Sequence, residues 1–166
     1  IFLLEYSFFK KYMKTLEIKK YEHRYHQQFK EISLEWLHGY ELYEKADADL
    51  LADPQKYIGA GGLIFLAHYK QEVVGTVSLI PTKKDTFEIM KLGVFEGYKG
   101  LGIGRKLMQV CIDICKEKKV HLITLETSSK LKNAIQLYEK LGFLHVKITD
   151  SYYESADVKM VLNLKQ

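Results

Sequence analysis

The sequence predicts one α+β domain, with a mixed, mostly antiparallel central sheet flanked by helices. Three observations lead there. Short runs rich in Ile, Val, Leu and Phe alternate with stretches whose apolar residues recur at helical spacing. Two of those runs are separated only by Lys70-Gln71, the mark of a hairpin and so of antiparallel pairing. The element order β-α-α-β-β-β-α-β-α-β-β lacks the sustained β-α alternation of a doubly wound parallel sheet.

The elements follow in order. Residues 15–20 read as a first strand. Over 22–38, apolar or aromatic residues at 25, 29, 32, 36 and 37 set a helical period. Residues 39–58 continue with a second, shorter helix, and Asp53-Pro54 reads as the cap and first-turn proline of one more turn. Residues 62–69 and 72–81 form the hairpin, and 86–95 is another strand. From 102 the period changes: Ile103, Leu107, Val110, Cys111, Ile114 and Cys115 share one helical face, with Lys and Glu opposite. Residues 121–127 are a strand, and 130–140 a helix closed by Gly142. Residues 143–149 and 157–164 are the closing strands.

Residues 1–12 are apolar and aromatic, but Glu5 interrupts them and no small-residue cleavage site follows. They are too short to span a bilayer. Met13 opens a stretch that reads as a normal start, so the expectation is an extension over 1–12 and one domain over 13–166. A chain of 166 residues, 47% hydrophobic and 28% charged, is long enough to bury a core and has an ordinary globular composition. Its net charge of +4 is spread among interspersed acids and bases, which suits an anionic small molecule better than nucleic acid. Cys111 and Cys115, one helical turn apart, suit neither a disulfide framework nor a metal site. His23 and His26 have no third ligand in reach, so no metal is expected. The expected setting is the cytoplasm, with no membrane association.

The chemistry centres on Lys99-Gly100-Leu101-Gly102-Ile103-Gly104, where a strand turns into a helix. Unobstructed N–H groups and the helix dipole make an anion site there, and Lys99 and Arg105 add positive charge. The plainer reading is a sharp turn that needs glycine only for sterics. A dinucleotide site is the rival, with Glu126 as the ribose partner. It wants G-x-G-x-x-G and a continuing βαβ repeat, and this chain has neither.

Residues 85–143 resemble the core of the GNAT acyltransferase superfamily. The loop is similar to its (Gln/Arg)-x-x-Gly-x-(Gly/Ala) signature, with lysine at the first position, where backbone amides matter more than the side chain. A second motif resembles the family's N-x-x-A-x-x-x-Y-x-x-x-G-F: Asn133-Ala134, Leu137-Tyr138-Glu139-Lys140 and Gly142-Phe143. The resemblance implies a sheet splayed between strands 86–95 and 121–127, and acetyl-CoA as cofactor. It implies CoA pyrophosphate on the amides of Gly100 to Gly104, the pantetheine arm along Leu92, Gly93 and Val94, and Asn133 bonding that arm. A bulge in the strand is expected at Gly93.

The implied reaction is acetyl transfer to an amine by direct attack in a ternary complex. An amine of pKa about 10.4 costs roughly 4.6 kcal/mol to deprotonate at pH 7, so a base is expected. Glu88 lies eleven positions before Lys99 (99 − 88), where some family members carry a catalytic glutamate; its plain reading is a solvated strand residue. Glu126 is the second candidate, as base or as a contact to the substrate ammonium. Tyr138 corresponds to the tyrosine that protonates the leaving thiolate, against a plain reading as a core aromatic. Trp36, Tyr40 and Tyr43 are candidate acceptor walls, with Tyr152 and Tyr153 behind them. Glu41, Glu44, Asp47 and Asp49 hint at a cationic small-molecule acceptor, and a peptide amine fits too. The alternative function is a non-catalytic acyl-CoA-binding sensor. A homodimer through the C-terminal strands stays open.

Overall fold

Strands β1 (Leu16–Lys20), β2 (Leu63–Tyr69), β3 (Glu72–Lys83), β4 (Thr86–Val94), β5 (Leu122–Thr127), β6 (Leu144–Val146) and β7 (Val158–Asn163) form one sheet in the order β1-β2-β3-β4-β5-β7-β6. These belong to a computed structural model that describes residues 15–165. The extension expected over 1–12, and Met13 with it, lie outside the described residues. All pairings are antiparallel except β4 with β5, which is parallel.

Helices cover both faces. On one lie α1 (His26–Gly39), α2 (Lys45–Ala52) and α3 (Pro54–Gly59); on the other α4 (Ile103–Glu117) packs along the sheet, and α5 (Lys132–Lys140) follows β5. The period-two geometry of β2 shows how one run serves both. Ile64 and Leu66 pack with Phe29, Ile32, Leu50 and Leu51 of α1 and α2, while Phe65 and Ala67 pack with Ile103, Leu107 and Cys111 of α4. A strand buried on two faces must be apolar at every position, which is why 63–67 shows no alternation in sequence.

The expected caps are present. The Asp53 side chain accepts from Lys56 N, with Pro54 in the first turn of α3, and Gly142 takes a φ of 94° just past α5. His26 Nε2 lies 2.7 Å from the Leu51 carbonyl, so this histidine ties α1 to α2. Cys111 and Cys115 are buried in α4, and burial pushes the Cys115 thiol up to about 11. The closing strands are shorter than the sequence suggested. β6 is an edge strand pairing only β7, and Leu144 is 70% exposed.

The site is set by where β4 leaves β5. The two pair from Thr86↔Leu122 to Ile89↔Leu125 and no further, although β4 runs on to Val94 against β3. The expected splay is therefore present. The bulge is not at Gly93. Thr76 pairs with Gly93 and Ser78 with Met90, so the extra β4 residue falls at Lys91-Leu92, and Lys91 takes the positive φ, 52°. Gly93 is glycine because a Cβ there would sit 2.8 Å from Trp36 Nε1.

Leu107 is 0% exposed at the centre of the α4 core. Leu107→Ala should cost about 2–5 kcal/mol, read as a lower denaturation midpoint at unchanged slope. A loss below about 1 kcal/mol would mean that α4 does not anchor the sheet.

Candidate active site

The gap between β4 and β5 opens a cavity of about 520 Å³. Nearly all the residues singled out in the sequence line it: Glu88, Leu92, Gly93, Val94, Lys99, Gly100, Gly102, Ile103, Gly104, Arg105, Asn133, Glu126, Tyr138, Trp36 and Tyr40. Leu101 is the exception. It packs against the core instead, so of the loop it offers at most its backbone. Tyr153 lines the cavity, while Tyr43 and Tyr152 do not.

At one end stand the glycines. Gly100 and Gly102 take φ of 78° and 77°, and a Cβ at either would meet nothing within 4 Å. They are glycines for conformation, and they face open space. Gly104 needs no left-handed φ, and a Cβ there would rest 3.5 Å from Leu137 Cδ2, an ordinary contact. Gly102 caps α4 without a side-chain bond, and the first helical bond runs from Lys106 N to Gly102 O at 3.0 Å. The amides of 103–105 thus have no protein acceptor among the described residues, the condition for an anion site on a 15-residue helix. Lys99 pairs with Glu96, whereas Arg105 makes no ion pair among the described residues.

Where the strands part, Glu88 and Glu126 line the cavity from β4 and β5. They are held differently. Glu126, its side chain 9% exposed, accepts from Ser151 Oγ at 2.6 Å and from Lys159 Nζ at 3.2 Å. Glu88 is half-buried and has no hydrogen bond or ion pair among the described residues. Burial pushes its carboxyl above the usual range, the charge of Glu126 adds to this, and Lys159 and Lys91 oppose it. Tyr138 is buried on α5 with its ring 6.0 Å from Phe143, and burial pushes its phenol up, so it stays protonated. Trp36 Nε1 is a buried donor with no acceptor among the described residues.

Sequence reasoning missed the network behind Glu88. Lys91 Nζ is ion-paired with Asp47 Oδ1, and the two side chains are 4% and 2% exposed. Lys91 also reaches Tyr153, 3.4 Å from its hydroxyl and 4.7 Å from its ring centroid. Burial lowers the Lys91 pKa and Asp47 works against that shift. The other Asp47 oxygen accepts from Glu44 N at 2.9 Å. The Glu44 carboxylate accepts from Glu154 N and Ser155 N, both at 2.9 Å. Glu44 and Asp47 are therefore committed to the protein, so two of the four acids read as a hint of a cationic acceptor are not free to meet one. One signal was available: Lys91 sits at an inward position of β4 between Ile89 and Gly93, where a lysine demands a buried partner.

Residues 15–143 match the model of the acetyltransferase (GNAT) family. The chain belongs to that family. It is 33% identical over 107 residues to the uncharacterized N-acetyltransferase YjgM of Escherichia coli, covering 63% of this chain and 64% of that protein. Against several other curated relatives of the GNAT chain, the match spans about half of their length. A GNAT-family acetyltransferase structure from Staphylococcus aureus superposes with a TM-score of 0.83 at 28% identity, over 90% of this chain and 99% of that one. The PaiA N-acetyltransferase of Thermoplasma acidophilum, solved in complex with coenzyme A, shares the fold with a TM-score of 0.73 at 17% identity, over 89% and 98%. Among the described residues of this GNAT chain, no helix is long and apolar enough to cross a membrane.

Removing one partner of a buried ion pair leaves the other uncompensated. Asp47→Ala should cost about 3–5 kcal/mol in chemical denaturation, and Asp47→Leu combined with Lys91→Met markedly less. Equal losses for both would mean that packing rather than charge holds this corner.

Proposed function

We propose that this GNAT protein transfers an acetyl group from acetyl-CoA to a primary amine, by direct attack in a ternary complex. One observation carries the reading: an unpaired, half-buried carboxylate, Glu88, stands where β4 and β5 part, in the same cavity as an uncapped row of helix amides.

The chain offers each part of an acyl-CoA molecule a partner. The amides of 102–105, with Arg105, suit a pyrophosphate. The β4 edge from Met90 to Val94 is left by β5 and suits an extended amide arm, with Asn133 on the opposite wall. The glycine cradle is open where a side chain would fill it. Bound acetyl-CoA supplies the acetyl group as an activated thioester. Glu88 takes the proton from the incoming ammonium, a task its raised pKa suits. Tyr138 keeps its proton at neutral pH and gives it to the departing sulfur. Both cysteines lie buried in α4 outside the cavity, with thiols pushed up by burial, so neither supports a covalent acetyl carrier.

A binding-only sensor is the weaker alternative. An unpaired carboxylate drawn out of water destabilises the fold, and a sensor gains nothing from Glu88 in exchange.

Two measurements test the proposal. In calorimetric titration, acetyl-CoA should bind saturably and NADH not at all, and Gly102→Val, which strains a left-handed φ and blocks the amides, should abolish binding. NADH binding alone would mean a dinucleotide site. Glu88→Gln should lower kcat/KM by about 10²–10⁴ and remove the acidic limb of its pH profile. Its effect on stability has the opposite sign. A raised native pKa means the folded chain holds that proton more tightly than the unfolded chain, so the contribution of Glu88 falls as pH rises from its ordinary value of 4.5 through the raised one. Glu88→Gln should therefore match the parent below that window and be the more stable protein at pH 7. A less stable variant at pH 7, with unaltered turnover, would make Glu88 a structural residue.

A further inference from the structure

We infer that the acceptor is a primary amine that carries its single positive charge on an uncharged, apolar or aromatic body. The inference rests on the acetyl-transfer reading and follows from which charges at the acceptor end of the cavity are already matched within the protein.

Outside the glycine loop, the apolar and aromatic lining of the cavity includes Trp36, Tyr40, Leu42, Leu131 and Tyr153. Three carboxylates line the cavity, Asp47, Glu88 and Glu126, and the protein has matched two of them. Asp47 is ion-paired with Lys91. Glu44 accepts from two backbone amides. Glu126 is bonded to both Lys159 and Ser151. Of these lining carboxylates, Glu88 alone has no hydrogen bond or ion pair.

That distribution discriminates. One ammonium finds Glu88. A second ammonium on the same molecule leaves water and finds only neutralised acids, so its desolvation goes unrecovered. A carboxylate fares no better. Lys91 is enclosed and paired with Asp47, Lys159 is paired with Glu126, and Lys130, which donates to the Tyr40 carbonyl at 3.1 Å, does not line the cavity. Apolar and aromatic surface is what the walls favour, because burying it against Trp36, Leu42 and Tyr153 needs no polar partner. Arylalkylamines and peptide N-termini with apolar first side chains share this chemistry. Polyamines, aminoglycosides and free amino acids do not.

The test is steady-state kinetics of the full chain with saturating acetyl-CoA on phenylethylamine, leucyl-phenylalanine amide, phenylalanine amide, free phenylalanine, spermidine and kanamycin. The three uncharged-body amines should exceed spermidine and kanamycin in kcat/KM by about ten- to a hundredfold. Phenylalanine amide should exceed free phenylalanine by a similar factor. Phenylethylamine against leucyl-phenylalanine amide separates a small-molecule from a peptide source. Tyr40 stands 38% exposed at the rim, so Tyr40→Ala leaves the core intact. That variant should lower kcat/KM for the preferred amine by about tenfold, chiefly through KM, with acetyl-CoA affinity unchanged. Saturable acetyl-CoA binding with spermidine or kanamycin as the better substrate overturns the inference and leaves acetyl transfer standing. Turnover of none of the six amines despite that binding overturns it too. Absence of acetyl-CoA binding overturns both.

Discussion

Strand β4 holds its parallel neighbour for four residue pairs and then releases it, and the buried Lys91–Asp47 ion pair fixes the place of release. Lys91 occupies a left-handed φ within a strand, a conformation that costs a non-glycine residue roughly 1–2 kcal/mol. It also holds an ammonium out of water. Asp47 compensates the buried ammonium, and Asp47 is itself placed by the first turn of α2, where its second oxygen receives Glu44 N. One carboxylate thus couples a helix start to a strand bulge. An apolar pair could fill the same volume at no desolvation cost. What the ion pair adds is direction: a hydrogen-bonded contact has a preferred geometry, which an apolar pair lacks.

The same corner reaches the C-terminal segment. Lys91 meets Tyr153, and Glu44 binds the amides of Glu154 and Ser155, so the loop before β7 closes the acceptor end through the helix that positions the bulge. Besides the Trp36 indole N–H, two features of the cavity are left unsatisfied among the described residues: the amides opening α4, and the carboxylate of Glu88. Polar groups withdrawn from water are normally paired, and an exception asks for a reason. Here both exceptions lie in one cavity, one presenting partial positive charge and the other a full negative one. A ligand with an anion at one end and an amine brought to the other satisfies both.

Local signals in the sequence were enough for the architecture and for a glycine turn that opens α4. Helical period placed α1 and α4, the Lys70-Gln71 turn placed the hairpin, and Asp53-Pro54 placed α3. What failed to show was long-range. Lys91 and Asp47 are 44 positions apart, and Glu44 and Ser155 are 111 apart. No local period reports such a pair, so Glu44 and Asp47 read as acids open to a cationic acceptor. The bulge was expected at Gly93 because glycine is the usual residue for a strained strand position. The structure uses that glycine for clearance of the Trp36 indole and lets a lysine carry the strain, since Asp47 compensates it.

Rigidity at the anion end comes from a different source. Immediately after the uncapped Gly102, Ile103 is buried, and Leu107, Met108 and Cys111 continue that face under the sheet. The amides left without an acceptor among the described residues therefore belong to the first turn of a helix whose other turns are locked in the main core. Their alignment is established when the protein folds, before any ligand arrives. A row of donors ordered in advance loses less entropy on binding than a loop that must be ordered by its ligand. Glu88 is treated alike: it is one of the four β4 residues paired with β5, opposite Thr124, rather than a loop residue. Both ends of the site are thus fixed to the sheet, and the segment carrying Tyr153 is held against them by carboxylates of α2 and its N-cap that bind backbone amides and Lys91.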